Sequence, residues 1–212
     1  MLSITIIIIL LTAIISFSAF YNQKIMNDLI FYPPSVSNSQ QWYRFITSGF
    51  IHADFMHLAF NMYSFYLFGE IVENAFAMIF AEKAKLIFIL LYLSALVVSL
   101  LPTYIKHRED RHYLSLGASG AVSAIVFAGI FLYPTLGMGI FPIPFHIPGF
   151  IFGPLYIGIS YYLANKGQGN INHSAHIWGA VYGIVYLIIC SVFLSRYNLT
   201  KNFLEQVLGY LQ

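Results

Sequence analysis

Ser119 stands in the run Leu116-Gly117-Ala118-Ser119-Gly120-Ala121, and His176 in the run Ala175-His176-Ile177-Trp178-Gly179. A hydroxyl is a poor nucleophile at neutral pH and needs an adjacent base; a neutral imidazole, with an ordinary pKa of about 6.5, can be that base. A third polar group lies upstream, with His52, Asp54, His57 and Asn61 within ten residues. His57 and Asn61 are four apart and share one face of a helix. Together with the backbone N–H of Ser119 they are candidate donors to a tetrahedral oxyanion, where removing one donor typically costs about 2.7–4 kcal/mol. Acyl transfer is therefore the chemistry these residue types could perform, provided that the chain brings Ser119 and His176 within hydrogen-bond reach.

Other readings of the same residues have to be weighed. Gly-x-Ser-Gly alone is a weak signal, because small residues are common where membrane helices touch and usually serve packing. Gly117 and Gly120 remove side chains where another backbone or a substrate must come close. His52, His57 and His176 could be metal ligands, but they lack thiolate or carboxylate company, and helical spacing puts His52 off the His57 face. No metal and no cofactor are expected. His173 reads as a solvated residue in the polar loop before a helix.

The elements that must position these groups follow from composition. Of 212 residues 59% are hydrophobic and 8% charged, with a mean hydropathy of +0.75, which a soluble globular surface does not tolerate. The chain is expected to be an all-α polytopic membrane protein. A crossing helix needs roughly 20 mostly apolar residues, and six stretches approach that: 2–21, 55–80, 84–105, 116–135, 149–165 and 175–194. They form one domain over 1–195, without linkers or internal repeats. In the tail, 196–212, Leu199, Phe203, Val207 and Leu211 recur at steps of four, as in an amphipathic helix on a membrane surface. The first span is read as retained rather than as a signal peptide, because no Lys or Arg precedes its apolar run. Segment 22–54 is a long loop carrying Pro33-Pro34, and the proline-rich stretch 141–149 is expected to form a rigid turn.

His176, Ala180 and Gly183 fall at i, i+4 and i+7, so one stripe of the last span carries the histidine and two small residues. Gly120, Ala121, Ala124 and Ala128 offer a matching small face on the fourth span, close enough for His176 to reach across. Cys190 is the single cysteine, which excludes an intrachain disulfide and suggests packing. The net charge of +2 is scattered, and no nucleic-acid surface is expected. Charge does not set orientation. With a cytoplasmic amino terminus the inner side holds Lys83, Lys85, Arg196 and Lys201 against Lys24, Arg44, Lys106, Arg108, Arg111 and Lys166 outside, a mild lean against the positive-inside rule.

In this order, His52-x4-His57-x3-Asn61, Gly117-Ala118-Ser119-Gly120 and Ala175-His176-x2-Gly179-x3-Gly183 resemble the three signature motifs of rhomboid intramembrane serine proteases. Trp42-Tyr43-Arg44 resembles the Trp-Arg-containing first loop of that family, and Gly69 with Glu73 its second-helix Gly-x3-Glu. The resemblance implies a minimal six-transmembrane-helix rhomboid-like bundle in a bacterial inner membrane. It implies a cytoplasmic amino terminus, an outer first loop and a water-filled cavity above Ser119. Its substrates would be transmembrane proteins in the lipid bilayer, cut within or beside a membrane segment. Ser119 matches the nucleophile and His176 the base, with no third catalytic carboxylate. His57, Asn61 and the Ser119 amide match the oxyanion hole, beside Gly117. Gly120, Gly179, Gly183, Trp42 and Arg44 match structural positions, as does Glu73, which would brace the first loop and neighbouring helices; Glu70 has no assigned role. One departure is Ser123, where the family often carries an aromatic against the catalytic histidine; Tyr162 or Tyr182 is expected to substitute. The rival readings are a rhomboid-like protein that binds transmembrane helices without cutting them, whose members generally lack the serine or the histidine, and a transporter, which would call for inverted repeats or paired broken helices. The resemblance leaves the oligomeric state open.

Overall fold

The computed structural model describes residues 2–139, 146–166 and 171–212. Among the described residues ten α-helices run in the order α1 (Ile4–Tyr21), α2 (Gln23–Leu29), α3 (Pro33–Ser39), α4 (Arg44–Thr47), α5 (Phe55–Phe80), α6 (Ala84–His107), α7 (Ser119–Leu132), α8 (Gly149–Lys166), α9 (His173–Leu194) and α10 (Leu199–Leu211). The only strands among the described residues, Gly137–Met138 and Ile147–Pro148, form a two-residue antiparallel pair with Gly137 opposite Pro148. The architecture is all-α. Among the described residues three stretches are long and apolar enough to cross a membrane, namely α1, the α5–α6 hairpin over Phe55–His107, and α9; α7 is apolar but shorter. Large apolar side chains such as Leu10, Ile14, Phe60, Val192 and Phe193 point outward, as expected of helices solvated by lipid. Of the stretch 141–149 expected to form a turn, 141–145 lie outside the described residues.

The outer helices are fastened by polar groups at their ends. Ser3 caps α1 by accepting the Ile6 N–H. Glu73 of α5 accepts from the N–H groups of Ile4 and Thr5 at 2.8 and 2.9 Å and from the Thr5 hydroxyl at 2.9 Å. A carboxylate on the orphan donors of a helix N-terminus is favoured by both hydrogen bonding and the helix dipole. Glu73 therefore braces the neighbouring helix α1, as expected, while its hydrogen bonds go to that helix and not to the first loop. Glu70, which had no assigned role, accepts from the Ser3 hydroxyl one turn earlier. After α5 the chain reverses through Ala81–Lys83, and α6 returns antiparallel, pairing Phe88 with Phe76 and Tyr92 with Phe65.

The loop 22–54 holds α2, α3, α4 and a turn of 3-10 helix at Ser48–Phe50. Pro33 and Pro34 open α3, where the missing N–H groups are not needed. Phe31, Val36 and Phe45 form a small core of their own against Val97, Leu100 and Tyr104 of α6.

Helix α7 is the centre of the bundle. Twelve of its fourteen residues are buried, with α5, α6 and α9 all packed against it. It is shorter than the expected span 116–135 for two local reasons. Gly117 has φ +110° and cannot continue a right-handed helix, and Pro134 follows Tyr133, disfavouring helical geometry there. Fourteen residues rise about 21 Å, less than the roughly 30 Å of hydrocarbon. Helix α10 closes the Leu132 end: Phe203 stacks on Phe131 (5.1 Å, 12°) and Gln206 Nε2 donates to the Leu132 carbonyl at 3.1 Å. The inward face of α10 is the expected one at three of its four positions. Leu199 is buried and Phe203 and Val207 are half-buried, but Leu211 is exposed, because steps of four drift around a 3.6-residue turn.

The α7–α9 contact is made by backbone. A Cβ on Gly179 would run into the Gly120 carbonyl, and one on Gly183 into the Ala124 carbonyl. Gly179→Ala is therefore expected to lower the unfolding midpoint in detergent, by about 1–3 kcal/mol of stability. Gly158→Ala in α8, where a Cβ meets nothing within 4 Å, is the control and should leave the midpoint unchanged or higher. Equal effects at the two positions would contradict the backbone contact.

Candidate active site

The segment leading into Ser119 is held from several sides. Phe31 and Ser115 exchange both backbone hydrogen bonds, at 3.0 and 3.1 Å, which ties the first loop to this segment. The Gly117 N–H donates to the Ser48 carbonyl at 2.9 Å. Asn172 caps α9 by accepting the Ala175 N–H at 3.0 Å, and its amide nitrogen donates to the hydroxyls of Thr103 and Ser115. The positive φ of Gly117 and its lack of a Cβ also make room for His57: a Cβ there would lie 2.7 Å from His57 Cε1.

His52 is wholly buried and uses both ring nitrogens. The Ser16 hydroxyl donates its one proton to the Phe50 carbonyl (3.0 Å), so across its 2.9 Å contact with His52 Nδ1 it accepts. Nδ1 thus carries the ring proton, and Nε2 accepts the Ala118 N–H at 3.4 Å. Burial above all, and the nearby His57 ring, push the His52 pKa down to about 3, with Asp54 opposing. The ring is neutral. His57 follows by the same reasoning. Its Nδ1 accepts the Ala53 N–H at 3.5 Å, which assigns the proton of the neutral ring to Nε2, the atom beside Gly117. Asn61 is buried on the same face and donates one amide hydrogen to the His57 carbonyl.

Ser119 is the first residue of α7 and is partly exposed. The N–H groups of that first turn have no intrahelical acceptor, and the helix dipole is positive there. His176 is in the first turn of α9. Gly120 lies between the Ser99 side chain of α6 and the Ala175 carbonyl of α9, so the two candidate residues sit at the same end of adjoining helices. Among the described residues no hydrogen bond joins Ser119 to His176. The imidazole instead lies nearly parallel to the Tyr156 ring of α8 (6.4 Å, 19°), with His173 edge-on at 5.9 Å. Apo sites often leave such a bond unmade until substrate orders them. His173 is the first residue of α9 rather than a loop residue, because Asn172 provides the cap.

Sequence comparison bears on this arrangement. Residues 39–193 match the Rhomboid domain. The chain belongs to the rhomboid family. It is 28% identical over 181 residues to the rhomboid protease GlpG of Haemophilus influenzae, covering 84% of this chain and 81% of that one. It is 32% identical over 172 residues to the mitochondrial RHOMBOID-like protein 12 of Arabidopsis thaliana (76% of this chain, 50% of that one). To the chloroplastic Rhomboid-like protein 11 of the same plant it is 28% identical (74% and 56%). It thus spans about half the length of these two plant relatives. As a rhomboid it is a multi-pass membrane protein.

The remaining rhomboid motif residues have defined places. Trp42 is 56% exposed and stacks on Phe45 (6.1 Å, 9°). Arg44 is only 7% exposed; its guanidinium donates to the carbonyls of Asn27 and Ile30 at the end of α2 and to Gln41, where a cation suits the helix dipole. Gly69 admits Thr5 of α1. The aromatic beside His176 is neither of those expected: Tyr182 donates to Ser94 of α6, and Tyr162 is exposed beside Lys166. Sequence reasoning also missed Asn172 and Ser16. An Asn just before an apolar helix is a cap signal that could have marked the first; no local pattern marks Ser16. Among the described residues no three His, Cys, Asp or Glu side chains are grouped to hold a metal.

Because His52 stays neutral while an unfolded histidine takes up a proton below about pH 6.5, the unfolded state binds more protons between about pH 6.5 and about pH 3. Stability contributed here is whole above that window and is lost as pH falls through it, by up to about 1.4 kcal/mol per unit. The thermal midpoint in detergent should fall from about pH 7 to about pH 4, less steeply in His52→Gln. Identical slopes in the two proteins would refute the assignment.

Proposed function

We propose that this rhomboid is an intramembrane serine endopeptidase that cuts transmembrane segments of other membrane proteins, with Ser119 as nucleophile and His176 as base. The observation that carries the reading is the glycine contact of α7 with α9, which sets Gly179, one turn after His176, against Gly120, the neighbour of Ser119. The Ser119 hydroxyl attacks the scissile carbonyl carbon while the His176 imidazole takes its proton. The oxyanion accepts from the Ser119 N–H, the His57 Nε2–H and the free amide hydrogen of Asn61. The imidazolium then protonates the leaving amine, and water, activated by the same imidazole, hydrolyses the acyl-enzyme. Only a segment with helix-weakening residues can present an extended peptide at such a site, since a helix in lipid gives up its backbone hydrogen bonds at high cost. By family resemblance the amino terminus is cytoplasmic, the Ser119 end faces outward, and the host membrane is the bacterial inner membrane.

A fluorophosphonate probe tests the reading on the full chain in detergent. The parent should label, Ser119→Ala should not, and His176→Ala should label about a hundredfold or more slowly. His57→Ala should cut the turnover of a transmembrane substrate by about 10²–10³. Labelling that survives in Ser119→Ala removes the nucleophile. A folded parent that does not label favours the rival reading, a rhomboid that binds transmembrane helices without cutting them, to which the unmade Ser119–His176 bond would then belong.

A further inference from the structure

We infer that Tyr156 is a positioning residue for His176, so that the surface orienting the imidazole is carried by α8 and not by α7. This rests on the reading of His176 as the base. An imidazole at the start of a helix can turn about its χ angles, and of the 22 residues of α9 only seven are buried, so its own helix does little to confine the ring. Asn172 and Ala175 fix the backbone of that turn through the cap, but not the ring. The flat contact is with Tyr156, 6.4 Å away and 19° from parallel, within the range of offset-stacked aromatic pairs.

Tyr156 is itself located on three sides. Phe152, one turn earlier on α8, stacks with it at 5.9 Å and 26°, and Phe127 of α7 meets it at 5.6 Å and 52°. Its hydroxyl lies 3.4 Å from the Ser123 hydroxyl. Ser123 is buried on α7 one turn after Ser119. Tyr156 thus bridges the helix that carries the nucleophile and the ring of the base, and it does so through a side chain that a serine at position 123 leaves room for. Helix α8 buries only Gly149, Gly153 and Ser160. Its seating depends heavily on this aromatic layer, so displacing α8 also withdraws the ring from His176.

The experiment measures fluorophosphonate labelling rates and unfolding midpoints of the full chain in detergent. Tyr156→Leu should remain folded, with a lower midpoint, and label about tenfold or more slowly, as small misplacements of a catalytic group do. Tyr156→Phe keeps the ring and should stay within about threefold of the parent. Ser123→Tyr added to Tyr156→Leu returns an aromatic from the α7 side and should recover the rate to within about threefold. A merely structural role would not predict that rescue. Labelling of Tyr156→Leu at the parent rate, or a folded double variant that stays slow, overturns the inference. If Tyr156→Leu alone does not fold, the double variant decides in the same way, and if neither folds the inference is withdrawn in favour of a packing role. A parent that does not label, or that labels without Ser119, would instead defeat the reading of Ser119 and His176.

Discussion

The approach of α7 to α9, close enough for Gly179 to touch the Gly120 carbonyl and Gly183 the Ala124 carbonyl, is the constraint on which the rest of the structure depends. Lipid tails are as apolar as leucine, so burial gives two membrane helices little reason to associate, and packing of small surfaces and interhelical polar contacts must do it. Two glycines four residues apart give that packing, and they also fix the axial register. A slip of one residue would drive a side chain of α9 into the α7 backbone, so the first turn of α7 meets the second turn of α9 at a defined level.

A second organising pattern is that several polar groups at depth are matched to helix ends or tight turns, although the buried hydroxyls of Thr12 and Tyr92 have no partner among the described residues. Glu73 serves the N-terminus of α1, Arg44 the C-terminus of α2, Gln206 the last carbonyl of α7, and Asn172 the N-terminus of α9. Helix ends are where backbone groups lack partners, and in a hydrocarbon surround each orphan is costly. The same pattern shapes the site. His52 spends both ring nitrogens on Ser16 and Ala118, which locks the turn before Ser119. His57 keeps Nε2–H free where Gly117 has no side chain. The two histidines are five residues apart, and it is their hydrogen bonds, not their type, that separate a ring with both nitrogens engaged from one whose Nε2–H is left over.

Much of this was legible in the chain. The long apolar runs gave the boundaries of α5 closely and those of α1, α6, α8 and α9 to within two residues, because lipid demands length and apolarity that few other folds need. The small stripe on α9 and its partner on α7 were readable for the same reason, although Gly179 rather than Ala180 makes the tightest contact. What could not be read was set by distant partners. Glu73 and Ser16 act across the bundle at sequence separations of 68 and 36, and no local pattern encodes which donor a carboxylate will find. The span 116–135 was overextended because an apolar run does not distinguish a helix from an extended segment paired to the first loop. The replacement aromatic was misassigned because proximity to His176 along α9 favours Tyr182, whereas the ring that reaches it comes from a helix packed on the other side.

That last error exposes how the site is built. A serine at position 123 removes bulk from α7, and the space is taken by a ring from α8 that also touches Phe127. Attachment matters because α7 is enclosed by its neighbours, whereas α8 leaves most of its surface outward. A ring on an enclosed helix is a fixed wall; the same ring on a peripheral helix moves when that helix moves. Packing density alone therefore does not specify how firmly His176 is held, and the stiffness of its surroundings is set by the most weakly buried element that contributes to them.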